Sequence, residues 1–168
     1  MNTTRIHEVE DKALDILLTV YTNEDAFDLP INLSKVTKTL GLSLKEGEFK
    51  DEEVVGAYDQ VSQTIYIAKN DPYVRKAFTI AHEVGHFVLH GDEKKKEIFY
   101  RKDLIFVDKE MVPLEQEANC FAASLLMPKG VVLRYFKIIR NVEMLASIFG
   151  VSFSAMRLRL KNLELIDA

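Results

Sequence analysis

Apolar residues near the start of the chain recur at helical spacing. Val9, Ala13, Ile16, Leu17 and Val20 fall on one stripe with charged residues between them, which predicts an amphipathic helix over residues 6–21. A short helix is expected over 32–40, stopped by Gly41. The pattern then changes. Residues 53–59 and 64–68 are rich in β-formers and flank a polar stretch suited to a hairpin turn, so two or three antiparallel strands are expected within 42–68. Asp71-Pro72 supplies an N-cap acid followed by proline at the first helical position, and the helix it opens should run to about His90, with Gly91 as its stop. Residues 92–97, including Lys94-Lys-Lys96, read as a charged loop, and 98–107 as a further strand. Pro113 opens a helix with Leu114, Ala118, Phe121, Ala122 and Leu125 on one face, ending before Pro128. Helices over about 129–139, 142–149 and 153–162 complete the chain, which has no repeats.

This order of elements predicts an α+β fold with a small antiparallel sheet. The 168 residues divide into a main domain over 1–130 and a helical C-terminal segment over 131–168. The last two helices, joined by Gly150-Val-Ser152, look like a helix-turn-helix.

Composition narrows the class. The single cysteine, Cys120, cannot form an internal disulfide, which fits a reducing compartment. The N-terminal residues have no signal-peptide core and no apolar run approaches the roughly 18 residues of a membrane helix, so a cytoplasmic location is expected. A net charge of −4 argues against nucleic-acid binding by the whole surface. Residues 129–161 nevertheless hold seven basic residues and one acid, Glu143, a local +6 that leaves −10 for the rest. Arg157, Arg159 and Lys161 lie on the last helix, where contact with DNA or with a protein partner is conceivable.

The chemistry concentrates at His82-Glu83-Val84-Gly85-His86. Two histidines four apart on a helix share a face, one turn up, and their ring nitrogens can converge on one Zn²⁺. Glu83, between them, can act as a general base toward a water acidified by the metal. Two satisfied histidines on a buried helix are the bland alternative. Gly85 costs about 1 kcal/mol relative to alanine in mid-helix, so a close approach by another backbone or a substrate is expected there. His90 lies two turns beyond His82, about 12 Å of rise, too far to share the same ion. It is either a partner of a ligand or structural.

A zinc site needs a third protein ligand. Glu115-Gln-Glu-Ala-Asn119 offers two glutamates. Glu115 sits beside Ala118, Asn119 and Ala122 at the edge of the apolar face, where small residues would let the two helices approach, and is favoured. Glu117, beside Cys120 and Ser124, reads as a solvated residue near the positive end of the helix dipole. Asn119 can orient a ligand by hydrogen bonding. Tyr58 or Tyr66 can point from the strands into a cleft and support an oxyanion, with substrate added as a strand on the sheet edge.

Together, residues 78–90 (Phe-Thr-Ile-Ala-His-Glu-Val-Gly-His-Phe-Val-Leu-His) and 115–128 (Glu-Gln-Glu-Ala-Asn-Cys-Phe-Ala-Ala-Ser-Leu-Leu-Met-Pro) resemble the ImmA/IrrE family of metallopeptidases. The resemblance covers about residues 25–130 well and the remainder loosely. It implies a zincin-like fold, one zinc ion, His82, His86 and Glu115 as ligands and Glu83 as catalytic base. It also implies a partner: a helix-turn-helix repressor, cleaved or inactivated to release phage, mobile-element or stress genes. Two rivals stand beside a peptidase: a non-catalytic zinc-containing regulator that binds repressor or DNA through residues 142–161, and a toxin-like metal hydrolase.

Overall fold

The computed structural model describes residues 1–24, 26–50, 54–91, 99–100 and 112–167. Seven helices and four strands are found among them. Helix α1 (Thr3–Val20) begins where Asn2 Oδ1 accepts from the Arg5 amide, satisfying a donor that has no partner within the helix. Its Val9, Ala13 and Leu17 are fully buried. Helix α2 (Leu33–Thr39) uses Asn32 in the same way, on the Lys35 amide. Beyond its end Gly41 turns left-handed at φ 72°, and the Leu42 amide donates to the Thr37 carbonyl.

Strands β1 (Ser43–Gly47), β2 (Gly56–Asp59) and β3 (Thr64–Ala68) follow. Asp59 shapes the β2–β3 turn: Oδ1 accepts from the Val61 amide at 2.9 Å and Oδ2 from the Ser62 hydroxyl at 2.5 Å. With β4 (Phe99–Tyr100) the sheet order is β1-β3-β2-β4. β2 pairs antiparallel with β3 and with β4, but β1 pairs parallel with β3, Ser43 opposite Thr64 through Gly47 opposite Ala68. The expected antiparallel sheet is therefore corrected to a mixed one. Parallel pairing needs a crossover between the strands, and the segment containing β2 supplies it. Among the described residues the hairpin strands β2 and β3 are internal, and the edges belong to β1 and β4. The charged loop expected over 92–97 lies outside the described residues, as do 98 and 101–107 of the strand expected over 98–107.

Helix α3 (Tyr73–His90) starts one residue later than Asp71-Pro72 suggests. Pro72 holds the cap position without a side-chain bond, and Asp71 instead meets Arg75 Nη1 at 3.4 Å. Gly91 ends α3 in a right-handed conformation, φ −61°. Helices α4 (Val112–Leu126), α5 (Lys129–Ile138), α6 (Val142–Phe149) and α7 (Phe153–Asn162) follow.

α4 packs against both α3 and α1. Its Ala118, Phe121, Ala122 and Leu125 are all fully buried, and the hydrophobic cluster that Phe121, Ala122 and Leu125 join runs from Val9 of α1 to Leu160 of α7. Residues on both sides of position 130 thus share one core. Arg159 ties α7 into it: 6% exposed, it donates from Nη1 to Glu10 Oε1 at 2.6 Å and from Nε to the Met127 carbonyl at 3.1 Å. Replacing Arg159 by alanine strands Glu10 and that carbonyl. A fully buried pair broken this way costs about 3–5 kcal/mol. Because Glu10 keeps 16% of its exposure, a loss of about 2–3 kcal/mol is expected in urea unfolding. A loss below roughly 0.5 kcal/mol, the range of an ordinary surface substitution, would contradict this account.

Candidate metal centre

α3 buries its functional stretch almost completely. His82 and Glu83 are each 1% exposed and His86 is 5% exposed. Helical spacing stacks the two imidazoles with centroids 4.6 Å apart, and their Nε2 atoms lie 3.0 Å from each other. α4 brings Glu115 to the same point: Oε2 is 3.3 Å from His82 Nε2, and Oε1 is 3.1 Å from His86 Nε2. Burial raises the Glu115 carboxyl, but the hydrogen bonds and charge of His82 and His86 outweigh it and hold the group well below the usual carboxylate range.

Two of the outer nitrogens are committed elsewhere. His82 Nδ1 lies 3.0 Å from Asn119 Oδ1, one helical turn beyond Glu115. His86 Nδ1 lies 3.3 Å from His90 Nδ1. An amide oxygen can only accept, so His82 carries its proton on Nδ1 and presents a lone pair at Nε2. With His86 in the same tautomer, two lone pairs and a carboxylate converge within about 3 Å of one another. Such a cluster needs a cation among its members, either a proton on an Nε2 atom that Glu115 accepts or a metal ion. The spacing fits one: donors at 2.0–2.1 Å from a tetrahedral ion stand about 3.3 Å apart, against the 3.0, 3.1 and 3.3 Å found here. The group His82, His86 and Glu115 can hold a metal ion.

Gly85 shows why the helices can come so close. A Cβ there would lie 3.2 Å from the Cα and carbonyl oxygen of Ala118 and 3.2 Å from Phe121 Cδ1. The close approach expected from the sequence is thus by the backbone of α4. Gly85→Ala should strengthen helix propensity by up to about 1 kcal/mol, yet push α4, and Glu115 with it, outward. A several-fold weaker affinity for Zn²⁺ in chelator competition, at unchanged helicity, is the expected result. An affinity equal to wild type would show that the spacing of α3 and α4 does not govern the site.

Glu117 departs from the reading made of it. It is not a solvated first-turn residue: its side chain is 14% exposed and is held by Arg5 and His90. Those hydrogen bonds, Arg5 first, bring its pKa down to about 2. Nothing local announces this, since Arg5 is 112 residues away. Tyr66 is not brought to the cluster. Ile65 and Ile67 face the core, so alternation turns Tyr66 to the opposite face, where Lys45 Nζ lies 5.9 Å from its ring centroid. Tyr58 packs edge-on against Phe87 of α3, ring centroids 5.8 Å apart. Cys120 is half-buried, and burial raises its thiol. A groove of about 1100 Å³ between α1 and α5 contains none of the three donors.

Residues 37–161 match the family Peptidase M78, described as an IrrE N-terminal-like domain. The chain belongs to the Peptidase M78 family. This match supports a metallopeptidase fold around the cluster and extends through α6 and most of α7. The chain is 35% identical over 85 residues to "Uncharacterized immunity region protein 2" of Bacillus phage phi105, covering 49% of this chain and 51% of that protein. In fold it is similar to a Mycobacterium tuberculosis transcriptional regulator, with TM-score 0.66 and 19% identity, covering 92% of this chain and 47% of the other. The chain spans about half the length of both relatives. Among the described residues no helix is long and apolar enough to cross a membrane.

Proposed function

We propose that this protein is a cytoplasmic zinc-dependent endopeptidase with a zincin-like catalytic domain, and that its substrate is a helix-turn-helix transcriptional repressor. The convergence of His82, His86 and Glu115 from two helices on one point carries this reading. Its donor set, two imidazoles and a carboxylate, leaves a fourth position for water or substrate. A zinc ion held there would supply Lewis acidity toward a scissile carbonyl and lower the pKa of water. Glu83 takes the proton from the attacking water and passes it to the leaving amine. Asn119 holds the His82 ring in the tautomer that leaves Nε2 available.

The substrate class draws support from the phage immunity-region relative and from the regulator that shares the fold. The test is co-expression with a helix-turn-helix repressor encoded in the same neighbourhood, followed by mass spectrometry of the repressor. A single discrete cut made by the wild-type protein is the expected outcome. An intact repressor that is nevertheless inactivated would favour the second reading, a non-catalytic regulator acting by binding. Within either reading α6 and α7 form a helix-turn-helix-like pair, packed on the common core and suited to a protein partner more than to DNA. Of its three candidate basic residues on α7, Arg159 is already engaged inside the molecule, while Arg157 is exposed.

A further inference from the structure

Behind His86 the polar contacts continue in one direction. His86 Nδ1 meets His90 Nδ1 at 3.3 Å, and His90 Nε2 meets Glu117 Oε2 at 3.1 Å. Arg5 then closes on the same carboxylate with two parallel bonds, Nε to Oε1 at 2.8 Å and Nη2 to Oε2 at 2.6 Å. The remaining Arg5 nitrogen, Nη1, is held by Glu8 at 3.0 Å. The proton placements follow from the ends. A guanidinium can only donate and a carboxylate can only accept, so Glu117 accepts from Arg5 and from His90 Nε2–H. His90 Nδ1 is then a lone pair that accepts from His86 Nδ1–H, and His86 Nε2 is left as a lone pair facing Glu115 and His82.

We propose that Arg5, Glu117 and His90 form a positioning relay that fixes the orientation and tautomer of His86, making the first turn of α1 a part of the metal centre. The inference rests on the reading of His86 as a metal ligand. Carboxylate partners on the outer nitrogen of a ligating histidine orient the ring and raise its basicity. Here a second imidazole is interposed, and the carboxylate is in turn locked by a bidentate guanidinium. The alternative is a plain staple joining α1, α3 and α4. A staple lowers the stability of the metal-free protein and, through the spacing of α3 and α4, shifts Zn²⁺ affinity several-fold at most, without altering the Co²⁺ spectrum.

Metal binding separates the two. Zn²⁺ affinity is measured by chelator competition, Co²⁺ is titrated for its visible absorption, and the melting temperature of the metal-free form is recorded for each full-length variant. His90→Phe and Glu117→Gln should each weaken Zn²⁺ binding about 10–100-fold and alter the Co²⁺ spectrum. Arg5→Ala should fall at the lower end of that range. Arg5→Lys should lie between Arg5→Ala and wild type, because an ammonium cannot reproduce the two parallel bonds. The double variant Arg5→Ala/Glu117→Gln should be no worse than Glu117→Gln alone, since both break one chain. Zn²⁺ affinity shifted several-fold at most, with an unchanged Co²⁺ spectrum, in variants whose metal-free form melts lower would overturn the relay in favour of the staple. A wild-type protein that binds neither metal would overturn it as well. Repressor cleavage is assayed separately: its absence beside the expected affinity pattern sinks the peptidase reading and supports the relay.

Discussion

Glu83→Gln should abolish peptide-bond cleavage while leaving metal binding and fold in place. Glutamine has the same shape and nearly the same volume, so the 1% exposed site of Glu83 can accept it without a cavity. What it lacks is basicity: an amide cannot take a proton from water and return it to an amine. General-base assistance is worth about 10²–10⁴-fold. Because the same carboxylate serves both proton transfers, a loss toward the upper end is expected. The decisive measurement pairs the rate of repressor cleavage with Zn²⁺ stoichiometry in the same preparation. Cleavage within tenfold of wild type at full zinc loading would remove Glu83 from the base role. Repressor relief in cells that persists in this variant would move the function from cutting to binding.

Much of this site was open to reading because its parts are local. Spacing of four on a helix forces His82 and His86 onto one face, whatever the rest of the chain does. Helix ends were legible for a similar reason: Asn141 accepts from the Met144 amide, Ser152 accepts from the Ala155 amide, and Gly150 turns left-handed at φ 64°. Choosing Glu115 over Glu117 as the residue facing the histidines needed only a helical wheel and the small residues Ala118 and Ala122. What escaped was long-range. β1 is largely exposed along its length and carries no alternation to say which strand it joins, so its parallel pairing depends on a crossover that local pattern does not encode. Glu117 escaped because its partner Arg5 stands on the far side of the sequence. A charged side chain looks solvated until the element that buries it is known. Arg159 misled in the same way, reading as a surface base when it lies buried against Glu10.

Glu115→Ala should remove the metal and, with it, all activity. The variant leaves two imidazoles, and a zinc site with two protein ligands loses both the chelate and the negative charge that balances the ion. The loss in affinity should exceed the about 10–100-fold expected when an outer partner is removed, so that no zinc survives dialysis. The metal-free protein reports separately. The hydrogen bonds of His82 and His86 that hold the Glu115 carboxyl low also stabilise the metal-free fold, so the metal-free variant should melt lower than metal-free wild type. The stabilisation that added Zn²⁺ gives the wild type, which grows with the ratio of free ion to Kd, should disappear. The zinc-induced shift is what distinguishes a ligand from a packing residue. A packing residue at this helix interface would lower the melting temperature of the metal-free form and leave that shift intact. Calorimetry of both proteins, with and without Zn²⁺, reads the two quantities in one experiment, and a preserved zinc shift in Glu115→Ala would mean that the third donor is some other group.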